Sequence, residues 1–400
     1  MGLLSGVLFT VFHVMAPTSE EKLAALDVDR AVPDEDNAAI IYEELVTGEE
    51  LPQPDLVVKI ASMTAAVQDP VSARESRAGE RKLRELEPSE AGLDPNIIKV
   101  GWSRPWRSDE YPQMKQWLDR RGHRIDRLLE AARKPSCYFP LWPAPGRMAL
   151  FDVPLGALRQ NVNLLVPAAN NDLAEGDVDG ALAKWRALMA VGRHLRGQPG
   201  AYYLLNGIAV EALALHQING FVIEGPATEG HLQDLAVQCE RPDRECWAIR
   251  REINHVRSLF LRLLEDPRSL KVRLYMRYQR IRYGDGEWPE GRCCELYHRM
   301  LSDRRGVRIL IELRRFKDRT GRWPESLDSI AAALPSGTLV DPINDGPYVY
   351  RLSERGFSLY STGPNRVDES GRPKSKSDGP DDWPIWPPRG RGSEPEQEKR

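Results

Sequence analysis

No stretch of the 400-residue sequence reaches the ~20 consecutive apolar residues that a bilayer crossing needs, and nothing after residue 15 is apolar for long enough to serve as a span. Its five cysteines (Cys137, Cys239, Cys246, Cys293 and Cys294) contain neither a CxxC pair nor a Cys/His set at zinc spacing. An odd number cannot all pair within one chain, so small buried apolar side chains are their expected role. One exception is open: Cys239 and Cys246 flank Pro242 and could bridge in an oxidising compartment, provided their Cα atoms come close enough. The seven histidines include no HExxH, and the chain has no GxSxG, no GxxxxGK[ST] and no GxGxxG after a strand. Catalytic groups need only converge in space, so an enzyme is not excluded. What the absences remove is every motif-specific reason to propose one.

What is present is a chain with 41% apolar residues, long enough to bury one large or two ordinary cores. A net charge of −3 conceals an uneven distribution. Residues 241–322 hold 22 Lys/Arg against 12 Asp/Glu, and the remainder holds 34 against 47. The densest basic stretch, Lys271 to Tyr283, mixes cations with aromatic rings and so resembles a nucleic-acid or acidic-lipid surface. Helical spacing accounts for it more simply: Leu270, Leu274, Tyr278 and Ile281 share one face, and Arg273, Arg277 and Arg280 another. A solvated or internally paired face is therefore expected, and no nucleic-acid partner.

Leu3 to Met15 reads LLSGVLFTVFHVM, apolar and uncharged but short. Three readings fit residues 1–16: an anchor whose start was assigned too late, an atypical signal lacking a basic n-region, or a buried first helix. The first is preferred, and it implies membrane contact through the N-terminus.

Mixed three-and-four spacing predicts helices over Glu35–Leu51 and Asp55–Gln68. The charged, Ala-rich Ser72–Glu90 segment reads as an exposed helix or loose connection. Met114, Trp117, Leu118, Ile125, Leu128 and Leu129 predict one long amphipathic helix from Tyr111 to Arg133, stopped by Pro135. Cys137-Tyr-Phe-Pro-Leu-Trp-Pro-Ala-Pro cannot be helical and forms a rigid aromatic link. Two αα pairs follow, Leu155–Leu173 with Val178–Leu195 about Gly176-Asp177, and Ala201–Glu224 with Thr228–Cys239 about Gly225-Pro226. Their turns resemble tetratricopeptide units, without that family's regular spacing or its full signature. Helical pattern continues through Arg244–Leu264, Asp266–Arg282 and Glu290–Asp318. Pro324 with Glu325 then starts a short helix ending at Pro335. Alternation over Tyr348–Leu352 and Gly356–Tyr360 predicts a β-hairpin. Glu211 and Glu252 sit in otherwise apolar helical stretches and could be inward carboxylates at a site; arginine-paired or surface glutamates are the expected outcome.

From Ile309 to Pro387 a recognisable order appears: a helix end, Gly321-Arg-Trp-Pro, Leu327-Asp, Asp341-Pro, Tyr348-Val-Tyr, Phe357-Ser-Leu-Tyr-Ser, then Gly363-Pro-Asn and an acidic loop. This run resembles the C-terminal module of the major pseudopilin of type II secretion. Upstream, Cys137-Tyr-Phe-Pro, Glu175-Gly-Asp-Val-Asp-Gly-Ala-Leu and the stretch from Gln198-Pro to Glu211 are similar to bacterial cell-envelope proteins of unassigned activity that carry the same module. A pseudopilin hangs this module directly on a long apolar helix behind a basic leader, whereas here about 300 residues intervene. The resemblance thus implies a borrowed module and not a filament subunit.

In pseudopilins the acidic loop binds calcium through carboxylates and backbone carbonyls, the oxygen set that hard cations favour. The resemblance places Asp368, Asp378, Asp381 and Asp382 in that loop, with Asp368 and either Asp381 or Asp382 as the ligand pair. Arg372, Lys374 and Lys376 interrupt it, and a solvated acidic loop is the alternative.

The expectation is a predominantly α, α+β protein: an apolar segment 1–16, a helical bundle of αα-hairpins over 34–300, a pseudopilin-like helix plus antiparallel β module over 301–387, and a disordered tail 388–400. Its expected role is that of a non-catalytic scaffold in the cell envelope, membrane-tethered or exported, engaging a protein partner, with no certain cofactor beyond the calcium implied above. The alternative is an enzyme with a site among the central helices.

Overall fold

A computed structural model describes residues 19–47, 93–141, 146–150, 152–242, 244–265, 290–354, 356–373 and 379–388. The apolar N-terminus, the expected helix at 55–68, the segment 72–90, the basic stretch 271–283 and the tail lie outside them. The chain is predominantly helical with one small antiparallel sheet, as the periodicity implies.

The N-terminal elements are α1 (Ser19–Arg30), a 3-10 turn (Asp34–Asp36), α2 (Ala38–Thr47), α3 (Pro95–Ser103), α4 (Pro112–Asp119) and α5 (Gly122–Arg133). The single helix expected over 111–133 is therefore two. Its break is local: the Arg121 and Arg124 amides bond three residues back, and the Arg121 guanidinium donates to the Trp117 carbonyl at 3.1 Å, capping α4. Gly122, a poor helix former, opens the next turn.

A similar correction applies to 155–173, which divides into α6 (Leu155–Asn163) and α7 (Leu165–Glu175). Pro167 supplies the reason, since its ring would clash with the carbonyl four residues back, that of Asn163, if the helix ran on. The expected turns hold. Gly176 takes the left-handed conformation at φ 88°, and the Asp177 side chain caps α8 (Val178–Arg196) through the Gly180 amide at 2.9 Å. Helix α9 (Ala201–Glu224) is followed by α10 (Glu229–Cys239), opened by a reciprocal Thr228–His231 capping box.

The described part of the proline-rich link after α5, Cys137 to Leu141, is not helical, as expected, so its backbone needs partners elsewhere. Side chains provide them. Asn37 exchanges two bonds with Tyr138, Gln198 donates to the Cys137 carbonyl at 2.7 Å, Asp27 accepts from the Leu141 amide, and Arg147 donates to the Tyr138 carbonyl.

Helix α11 (Cys246–Glu265) packs on α1 and on α12 (Glu290–Thr320). Helix α12 is continuous for 31 residues and passes through the boundary expected at 300/301. Its first turns meet Ala201, Leu204, Ile208, Ile249 and Ile253 in a small core, with Tyr297 fully buried. Cys246 and Cys294 are joined there by a disulfide with Cα atoms 5.9 Å apart. The bridge considered between Cys239 and Cys246 is thus not formed. Burial with an adjacent residue of α12 decided Cys246's partner, and Cys239 is a free thiol.

Beyond α12, only Asp328–Ala331 of the expected short helix is α-helical (α13). The hairpin forms as predicted, β1 (Val349–Ser353) pairing with β2 (Gly356–Ser361) so that Tyr350 faces Leu359 and Leu352 faces Phe357. A third strand, β3 (Trp383–Trp386), was not anticipated, because Pro384 breaks the strand pattern; the sheet order β1-β2-β3 puts it on an edge, where proline is tolerated. It lies on α12. A Cβ on Gly306 would come within 2.6 Å of Ile385, and the Trp383 indole donates to Asp303 at 2.6 Å. Tyr348, Phe357, Leu359, Ile385 and Trp386 join the same apolar core as α2, α5, α8 and α9, so the sheet is sealed onto the helices without a separating layer.

Candidate functional site

The chemistry-bearing residues gather where α8, α9, α10 and α12 meet. Helices α8 and α9 approach most closely at two glycines. A Cβ on Gly207 would stand 2.5 Å from the Gly192 carbonyl, and one on Gly192 would stand 3.0 Å from the Glu211 Cβ. One turn further along each helix, this contact sets Arg196 beside Glu211.

Glu211 is fully buried. Arg196 donates to its Oε2 at 2.7 Å, and Arg304 of α12 grips its Oε1 through both Nε and Nη2, the Nε contact being 2.8 Å. Arg304 also donates to the Arg241 carbonyl at 3.3 Å, which fixes the loop after α10. The Arg196 guanidinium lies over the Tyr297 ring, 5.8 Å from its centroid. Arg308 continues the array on α12, bonded to Glu240 and Glu312, and Glu312 also accepts from Arg315.

Arg193, on the next residue row of α8, differs from these. It is partly buried, and its Nη1 is shielded from solvent without a hydrogen-bond acceptor. Burial, together with the nearby positive charges of Arg241, Arg304 and Arg196, lowers its pKa to about 10. Burial pushes the thiol of Cys239, at the end of α10, up to about 12, so it stays protonated and unreactive.

Next to Arg193, His194 has both ring nitrogens engaged. Nε2 donates to the Lys134 carbonyl at 3.1 Å, leaving Nδ1 to accept from the Tyr42 hydroxyl at 2.8 Å. Burial holds the imidazole pKa down at about 4. This is a core histidine in a fixed neutral tautomer.

The residues expected to bind calcium do not converge as a three-carboxylate set among the described residues. Asp368 is taken up by the Tyr360 hydroxyl at 2.8 Å, the Ser370 amide at 2.9 Å and the Arg351 guanidinium at 2.6 Å. Asp382, buried, accepts the Glu369 and Gly371 amides and faces the Glu369 carboxylate. Asp381 donates its amide to Glu369. Among the described residues no three His, Cys, Asp or Glu side chains are placed to share a metal ion. Asp378 lies outside them. Burial and the Glu369 charge together raise the Asp382 pKa to about 6.

Of the two glutamates singled out by their apolar surroundings, Glu211 is the buried partner of two arginines and Glu252 a half-buried partner of Arg244. In the sequence the arginines around Glu211 are marked only by spacing: Arg193 and Arg196 lie three residues apart at the end of α8, in a stretch from Ala187 to Leu195 that is otherwise apolar but for His194. Comparison of the chain with protein-family models, with curated proteins and with solved structures finds no match.

Proposed function

We propose that the chain is a non-catalytic, envelope-associated interaction protein, a helical scaffold that presents its small β module to a protein partner. The observation that carries this reading is α12, one unbroken helix that packs on α9 and α10 and also receives β3. A module held on a helix of the main core is presented in one fixed orientation, which is what a docking surface requires. The resemblance of residues 309–387 to the pseudopilin module supports an envelope partner. The Cys246–Cys294 bridge supports an oxidising compartment, because such bonds persist outside the reducing cytosol.

The non-catalytic part rests on how the best acid–base candidates are used. Both Glu211 oxygens accept from buried arginines and both His194 nitrogens are engaged, so every titrating atom of the two already has a partner within the core.

A photo-crosslinking residue placed at Leu352, exposed on the edge strand β1, tests the reading in intact cells. It should capture a defined envelope protein, while the same residue placed at Arg186 on α8 should not. Equal labelling from both positions, or recovery of the chain from the cytosol with Cys246 and Cys294 reduced, would overturn it.

A further inference from the structure

We propose that the outer face of α11 is a binding surface for an anionic phospholipid membrane. One side of this helix is spent on the interior: Ile249, Ile253, Val256 and Leu259 are buried in the two apolar cores. The opposite side, an arc of about 120° at about 100° per residue, carries Trp247, Arg250, Arg251, Leu261 and Arg262, all of them exposed. Asn254 and Ser258 complete the arc, and between Trp247 and Arg262 it bears no acid. Glu252 lies on another side of the helix, where it pairs with Arg244.

Two features separate this face from an ordinary solvated one. The first is apolar: Trp247 is 65% exposed and Leu261 51%, and they stand about 21 Å apart along the helix axis with arginines beside and between them. A helix lying in the plane of a bilayer surface uses this pattern, with a tryptophan ring at headgroup depth, a leucine reaching the acyl boundary and guanidinium groups on the lipid phosphates. The second is charge of one sign. From Trp247 to Gly284 the sequence holds ten Lys/Arg against three Asp/Glu, whereas the whole chain carries a net −3. An anionic surface therefore attracts this side of the molecule and repels the remainder, which fixes an orientation. The face is also held ready, because Cys246 beside Trp247 is bonded to Cys294 of α12 and Ile249 and Ile253 are packed beneath it. A nucleic acid would use the arginines but give Leu261 nothing to bury against, so lipid is the better fit.

This inference goes beyond the docking proposed for the β module and needs no protein partner, so a failure of either leaves the other standing. The full chain is mixed with vesicles of phosphatidylcholine alone and with vesicles of equal parts phosphatidylcholine and phosphatidylglycerol, and the bound fraction is measured by sedimentation. Binding to the anionic vesicles only, reversed at about 1 M salt, is expected. Joint replacement Arg250→Gln, Arg251→Gln and Arg262→Gln should lower the partition coefficient about a hundredfold. A control with the same loss of charge at exposed positions elsewhere, Arg120→Gln, Arg133→Gln and Arg319→Gln, should stay near the wild-type value. All six positions are at the surface of the fold, and an unchanged Tm shows that both variants fold. Brominated phosphatidylcholine in the anionic vesicles should quench a part of the tryptophan fluorescence that is missing in Trp247→Phe. Equal binding to the two vesicle types, an equal loss in the control, wild-type binding by the α11 triple variant as residues 1–16 alone would give, or quenching unchanged by Trp247→Phe overturns the proposal. So does a random-sequence DNA duplex that binds more tightly than the vesicles and is released by the α11 substitutions, since that assigns the face to nucleic acid.

Discussion

Gly207 sits so near Gly192 that a methyl group on it would stand 2.5 Å from the Gly192 carbonyl oxygen and equally close to the Arg196 side chain. The helices cannot keep this separation if either residue gains a Cβ. Gly207→Ala should therefore destabilise the fold by about 2–3 kcal/mol, the usual cost of overpacking a tight contact. Urea unfolding monitored by circular dichroism would measure it, and an unchanged midpoint would show that α8 and α9 can part without loss.

Glu211→Gln keeps the shape of the side chain and removes its charge. Arg196 and Arg304 would then lose the carboxylate they share, and removal of one partner from a buried pair costs about 3–5 kcal/mol. Arg304→Met should cost less, because it removes a cation from a region already rich in them. The two midpoints, compared in one buffer, test the ordering.

His194 makes stability depend on pH in a definable window. Its pKa is about 4 in the fold and about 6.5 when unfolded, so between these values the unfolded chain takes up the proton. Its contribution is complete above pH 6.5 and is lost progressively as the pH falls toward 4, by up to about 3 kcal/mol. His194→Gln should flatten that part of the stability profile. An equally steep profile in the variant would assign the slope to other groups.

Asp382 acts in the opposite direction. Its folded pKa of about 6 lies above that of an ordinary aspartate, so the buried carboxylate facing Glu369 weakens the fold above pH 6 and ceases to do so at low pH. Asp382→Asn can still accept the Gly371 amide and can also donate to Glu369. It should raise stability by about 1–2 kcal/mol at pH 8, a figure discounted for the exposure of Glu369, and should have little effect at pH 4. Calorimetry at the two pH values decides this.

The disulfide predicts a redox-dependent melting temperature. Cys246 and Cys294 are 48 residues apart, and closing a loop of that length stabilises a fold by about 3–4 kcal/mol through the entropy of the unfolded chain. Reductant or Cys294→Ser should lower Tm accordingly. Alkylation of the unfolded, unreduced chain should modify the three thiols of Cys137, Cys239 and Cys293 only.

What the sequence by itself determined is local. Helical periods, the Gly176-Asp177 turn, the Thr228 cap, the non-helical stretch from Cys137 to Leu141 and the Tyr348–Tyr360 hairpin follow from spacing, side-chain caps and proline geometry, which act over a few residues. Pro167 was equally local, and its break was there to be read. Tertiary structure alone decided that Cys246 pairs with Cys294, that Pro384 lies in an edge strand against Gly306, and that Asp368 answers Arg351 and Tyr360. It also gathered Arg193, Arg196, Arg241 and Arg304 around Glu211 from three helices and a loop. Charge pairing and disulfide formation depend on distances of a few ångströms between residues far apart in the chain, and packing at contacts such as Gly192–Gly207 sets those distances.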